Sequence, residues 1–99
     1  MAERKIVWNP SALKTLEEAL QWISEQSVTQ AENIETAILS KLEKSKENPE
    51  RYPPDRYKNN NDGHYRSFNS HSYRISFKFT EKEIVILRVR HVKQRPQNY

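Results

Sequence analysis

The apolar residues of this chain follow two different periods, and the change between them constrains the fold more than any other feature. Leu13, Leu16, Leu20 and Ile23 recur at spacings of three, four and three, with Ala12 and Ala19 beside them and Trp22 at the flank. Ala31, Ile34, Ala37, Ile38 and Leu42 form a second stripe of the same kind. Both are patterns of amphipathic helices. Beyond residue 63 the period drops to two. Tyr73, Ile75, Phe77 and Phe79 alternate with Arg74, Ser76 and Lys78, the pattern of a strand with one buried face. A chain with helical stripes first and alternating strands later reads as α+β.

Local signals set the boundaries. Arg4–Trp8 reads as a short strand, with β-branched and aromatic residues after two charges. Asn9-Pro10 predicts a helix start, Asn as cap and Pro in the first turn. Ser24–Val28 reads as a polar break, and Thr29-Gln30-Ala31-Glu32 matches a capping box opening a second helix. Lys41, Lys44 and Lys46 suit the negative end of that helix, which Asn48-Pro49 stops. Residues 49–63 hold three Pro and end in an Asn-rich, Gly-containing turn, so they read as a loop. Strands follow at Tyr65–Asn69, Ser72–Thr80 and Ile84–His91.

The register of the last two strands can be argued from charge. A two-residue loop would place Arg88 and Arg90 on the face of Ile75 and Tyr73, burying charge. A three-residue loop at Glu81-Lys82-Glu83 instead pairs Phe79 with Val85, Phe77 with Leu87 and Ile75 with Val89, leaving one face wholly apolar. The other face then sets Arg74 opposite Arg90 and Ser76 opposite Arg88. Like charges directly opposite destabilise a sheet. That face therefore calls for a carboxylate from elsewhere in the fold, an acidic partner or phosphate. The expected architecture is β-α-α-β-β-β: one domain over residues 1–99, an antiparallel helical hairpin on one face of a mainly antiparallel four-stranded sheet, and a basic face at least partly open.

Composition narrows the function. At 99 residues the chain is sized for one domain with a modest core. The absence of Cys removes disulfides, thiol catalysis and cysteine metal sites, and allows a reducing cytoplasmic compartment. A single Gly leaves no phosphate-cradling glycine loop. The longest aliphatic run, Ile84-Val85-Ile86-Leu87, is too short to span a membrane, and no apolar leader is expected. The net charge of +4 divides into −3 over residues 1–50 and +7 over residues 51–99. The basic half also holds all three His and eight of the ten aromatics. Such asymmetry points to an anionic partner or to charge balance within one fold. His64, His71 and His91 lack the neighbouring acids of a metal site, and no metal is expected. The Tyr52/Tyr57 loop, with Arg51 and Arg56, reads either as a base-stacking platform beside phosphates or as a Pro-stiffened cover.

The order and spacing of these segments resemble the RelE/ParE superfamily of bacterial type II toxin–antitoxin toxins. Tyr65-Arg66 followed by Ser72-Tyr73-Arg74-Ile75-Ser76-Phe77 is similar to the superfamily's YRI-containing strand. Ile84–His91 is similar to its last strand, which often ends in Val-x-His. The resemblance covers nearly the whole chain. It implies a growth-inhibiting cytoplasmic protein of the plasmid-stabilisation type, without cofactor, neutralised by an acidic antitoxin encoded beside it. RelE-like members cut mRNA in the ribosome, whereas ParE-like members poison DNA gyrase and are not hydrolases.

Metal-free RNA cleavage needs a base, phosphate-binding cations and an acid for the leaving oxygen. Arg74, Arg90, His91 and Tyr99 are the candidate catalytic set for that chemistry. Arg66, Arg74, Arg88, Arg90, Lys93 and Arg95 are the candidate nucleic-acid or antitoxin contacts. Phe68 stands where RelE-like enzymes carry a second basic residue, and Val-Arg-His at the strand end is seen on the ParE side, so the resemblance leans toward gyrase. Arg74 also has a structural reading, paired with Glu17 or Glu43. The further alternative is a non-toxic nucleic-acid or protein-binding module.

Overall fold

The computed structural model describes residues 3–99. Its elements are β1 (Lys5–Trp8), α1 (Pro10–Ser24), α2 (Val28–Glu47), a 3₁₀ turn at Pro49–Arg51, β2 (Tyr65–Ser70), β3 (Tyr73–Phe79) and β4 (Glu83–His91). The sheet order is β1-β4-β3-β2, with β1 parallel to β4 and the remaining pairs antiparallel. The expected α+β architecture is the one observed. The parallel pair is possible because the helical hairpin supplies the long crossover that such pairs require.

Asn9 caps α1 as its sequence position suggests, its side chain accepting from the Ser11 N–H at 3.0 Å. The α1 core face is Ala12, Leu16 and Ile23, with Leu20 packed at its edge. Leu13, expected in the stripe, lies at its margin and is exposed. The start of α2 differs from the capping-box reading. Ser27, not Thr29, is the cap, its hydroxyl accepting from the Gln30 N–H at 3.1 Å. Thr29 therefore falls inside the first helical turn. A Ser two residues earlier satisfies the same orphan donors and shortens the connection between helices. Ala31, Ile34, Ile38 and Leu42 are buried as the second stripe predicts.

Ser72, expected to open a strand, is a turn residue instead. His71 and Ser72 both take left-handed backbone angles, φ 49° and 72°. Two such residues twist a tight hairpin in the sense that matches its strands.

The β3–β4 register is correct at one end and shifted at the other. Arg74 pairs with Arg90, Ile75 with Val89 and Ser76 with Arg88, as the charge argument requires. Beyond Ser76 a bulge intervenes, and Phe77 pairs with Ile86, Lys78 with Val85 and Phe79 with Ile84. Phe77–Leu87 and Phe79–Val85 are therefore not partners. Leu87 is the extra residue. The bulge changes the parity of β4, so Ile84 and Ile86 enter the core at 0% exposure while Val89 stays there too. Phe77 and Ile75, the partners of Ile86 and Val89, are also wholly buried, and Phe79, the partner of Ile84, is nearly so. The core is thus the layer between the helical hairpin and one sheet face.

The opposite face carries Arg74, Ser76, Arg88 and Arg90. It is more covered than the sequence suggests, because residues 92–99 and the loop around Tyr57 fold back over it. The loop after α2 also lies along β2: Asp55 N–H donates to the Tyr65 carbonyl at 2.8 Å and Ser67 N–H to that of Pro53 at 3.2 Å. These bonds satisfy β2's outer edge, which would otherwise be open to another chain.

Candidate functional site

The basic row is built by register. Alternation on β3 and β4 projects Arg74, Arg88 and Arg90 to the side away from the helices. Among the described residues, none of the three has a carboxylate within ion-pair distance. Glu17 and Glu43 do not reach Arg74. Its guanidinium lies instead over the Tyr57 ring, 4.6 Å from the centroid. Arg88 lies 4.2 Å over the Tyr99 ring and donates to the Gln97 carbonyl at 2.6 Å. Arg90 donates to the Arg95 carbonyl at 3.0 Å. Main-chain carbonyls and aromatic faces thus take the place of counter-ions. Among the described residues, the buried Nε atoms of Arg88 and Arg90 find no partner. Burial is the main cause pulling the Arg88 pKa below its ordinary value; Tyr99 and Asp55 oppose the shift, and the neighbouring Arg90 and Arg74 add to it.

Asp55 organises the edge of this row, and the sequence reading did not single it out. It is 1% exposed. One carboxylate oxygen accepts from the Tyr99 hydroxyl at 2.6 Å, and the other from the Tyr57 N–H at 3.0 Å. Tyr99 N–H donates to the Tyr57 carbonyl at 2.9 Å, and Asn59 N–H to the Tyr99 carbonyl at 2.6 Å. One buried acid therefore ties residues 57 and 99 together across the face. Burial first, then the Asp55 bond, pushes the Tyr99 pKa well above its ordinary value. An Asp in a Pro-rich loop, followed two residues later by Tyr57, was the available signal. An Asp side chain readily accepts from the backbone two residues on.

The structure separates the remaining candidates. Arg66 is on the helix-facing side of β2, across from Phe77. Its guanidinium donates to the carbonyls of Gly63 at 2.9 Å and Tyr52 at 3.0 Å, so it holds the loop in place. Gly63 sits in a left-handed conformation, φ 97°, at that contact. His91 pairs with Tyr73 on the same helix-facing side, ring edge to ring face at 5.2 Å. Its Nδ1 accepts from the Lys93 N–H at 3.0 Å. Lys93 and Arg95 are exposed in the segment that crosses the basic face. Thus Arg74, Arg88, Arg90 and Tyr99 converge, whereas Arg66 and His91 lie on the other face.

Chemically, the row offers guanidinium donors with no fixed counter-ion and a tyrosine held neutral. That suits binding of carboxylate or phosphate. Among the described residues no helix is long and apolar enough to cross a membrane. The comparison with curated proteins finds no match. Residues 6–96 match the family described as the ParE toxin of type II toxin-antitoxin system, parDE. That span takes in both helices, β2, β3, β4 and all but the first residue of β1, together with the Arg row, and the chain accordingly belongs to the ParE toxin family of type II toxin–antitoxin systems.

Proposed function

We propose that this chain inhibits growth by acting on DNA gyrase, and that an acidic cognate antitoxin neutralises it. The observation that carries the gyrase reading is the division of the proton-transfer candidates. His91 lies across the sheet from Arg74 and Arg90. The Tyr99 hydroxyl is already donated to Asp55. A cationic row without a free, positioned acid or base suits recognition better than RNA hydrolysis. The uncompensated charge of Arg74, Arg88 and Arg90 supports an acidic partner.

Two assays on the purified chain separate the targets. In a gyrase supercoiling reaction, the protein is expected to inhibit supercoiling of relaxed plasmid. In a translation extract, transcripts are expected to stay intact. Cleaved transcripts with normal supercoiling would overturn the reading in favour of a ribosome-dependent endoribonuclease.

A further inference from the structure

A second cationic feature lies at the edge of the sheet and shares Arg74 with the row described above. It is a cleft of about 540 Å³ between β2, the Pro-rich loop and α2. Three cations from three different segments line it: Lys41 of α2, Arg56 of the loop and Arg74 of β3. Its lining contains no acid, and among the described residues none of the three cations has a carboxylate within ion-pair distance.

The cations are held in place by neutral groups. Arg56 and Arg74 both lie over the Tyr57 ring, at 5.0 and 4.6 Å from its centroid. Lys41 donates to the Asn69 carbonyl at 2.8 Å and lies 5.6 Å from the Phe68 ring centroid. Tyr57 itself is fixed through its N–H to buried Asp55. Tyr52, also in the lining, is fixed by its hydroxyl bond to the Lys41 carbonyl at 3.1 Å and by packing on Phe68. Positioned cations lose less side-chain entropy when a ligand arrives.

We propose that this cleft binds one nucleotide unit of a single-stranded nucleic acid. The phosphate would meet Lys41, Arg56 and Arg74, and the base would lie along the aromatic wall at Tyr52. The cleft's volume exceeds what a lone carboxylate needs, and its combination of cations with aromatic side chains is that of single-strand binding grooves. A duplex keeps its bases stacked and paired, so it cannot present one to the wall. The proposal does not depend on gyrase being the target, and its test contains no gyrase.

The test is fluorescence anisotropy with the full chain and labelled probes: a single-stranded oligodeoxynucleotide, an oligoribonucleotide of the same sequence, the matching DNA duplex, and an Asp/Glu-rich peptide. The single strands are expected to bind more tightly than the duplex, and the tighter of the two identifies the source. The double variant Lys41→Gln/Arg56→Gln is expected to weaken single-strand binding about tenfold and to flatten its salt dependence by no more than roughly 0.7 in the logarithmic slope, the share of the one phosphate the cleft neutralises. Lys14→Gln/Lys82→Gln removes the same charge from exposed positions outside the cleft. It is expected to bind within about twofold of the parent. Circular dichroism and thermal melting of both double variants check that they are folded. Equal weakening by the two double variants, duplex binding as tight as single-strand binding, or binding of the acidic peptide alone would each overturn the proposal.

Discussion

At the scale of single residues, Asp55 ties two distant segments together. It is buried, accepts two hydrogen bonds and fixes both Tyr57 and Tyr99. Asp55→Ala would leave the half-buried Tyr99 hydroxyl and Tyr57 N–H without their partner. Such losses cost about 1–3 kcal/mol each. Urea unfolding should therefore show Asp55→Ala destabilised by roughly 2–4 kcal/mol, with Asp55→Asn milder because its carbonyl can still accept. Tyr99 gives a second expectation, in pH. Its folded pKa is raised above the ordinary value of 10.0. The unfolded chain therefore loses that proton first as pH rises. The contribution to stability is full below about pH 10 and is lost progressively as pH climbs toward the folded pKa. Alkaline melting curves should fall less steeply for Tyr99→Phe than for the parent above pH 10. The local bond from Asp55 to the Tyr57 N–H was legible in the sequence, but the bond to Tyr99 was not, because it forms only after residues 44 positions apart meet.

At the scale of elements, the bulge in β4 decides which side chains enter the core. Ile84-Val85-Ile86-Leu87 is apolar at every position, so either parity looks plausible in sequence. Charge fixed the far end, because Arg88 and Arg90 had to face away from the core. The near end was decided by packing: Ile84 and Ile86 are wholly buried opposite Phe79 and Phe77, and one extra residue reconciles the two ends. Ile86→Ala should cost about 2–4 kcal/mol in thermal or chemical unfolding, and Leu87→Ala less than about 1.5 kcal/mol, because only the first is wholly buried. The opposite ranking would restore the unbulged register. The cap of α2 gives the same lesson on a smaller scale. Ser27 and Thr29 are both competent caps, and chain entry from α1 selects the earlier one.

At the scale of the whole molecule, the net charge is less informative than its placement. Helices carry the negative excess, and the far sheet face carries Arg74, Arg88 and Arg90. If an acidic antitoxin engages that face, as proposed, the complex should weaken as salt rises through the range in which the screening length falls below about 10 Å. Association rates should fall more than tenfold for Arg74→Glu/Arg90→Glu. Stopped-flow mixing at several salt concentrations measures both. A complex indifferent to salt and to charge reversal would place the antitoxin elsewhere.

Much of the architecture was legible in the sequence. Two helical stripes, an alternating strand and a charge-forced register were enough for the order of elements and for the pairing of Arg74 with Arg90. These are local periods, or a choice between two faces, and a single strong penalty such as burying a guanidinium decides each. The tertiary structure alone decided the rest. It laid residues 92–99 over part of the basic face, placed Arg66 and His91 on the opposite side from the Arg row, and brought Lys41, Arg56 and Arg74 to one cleft. Each of these depends on segments distant in sequence meeting across a sheet. No local pattern encodes such meetings, because their free energy exists only once the core has fixed the sheet.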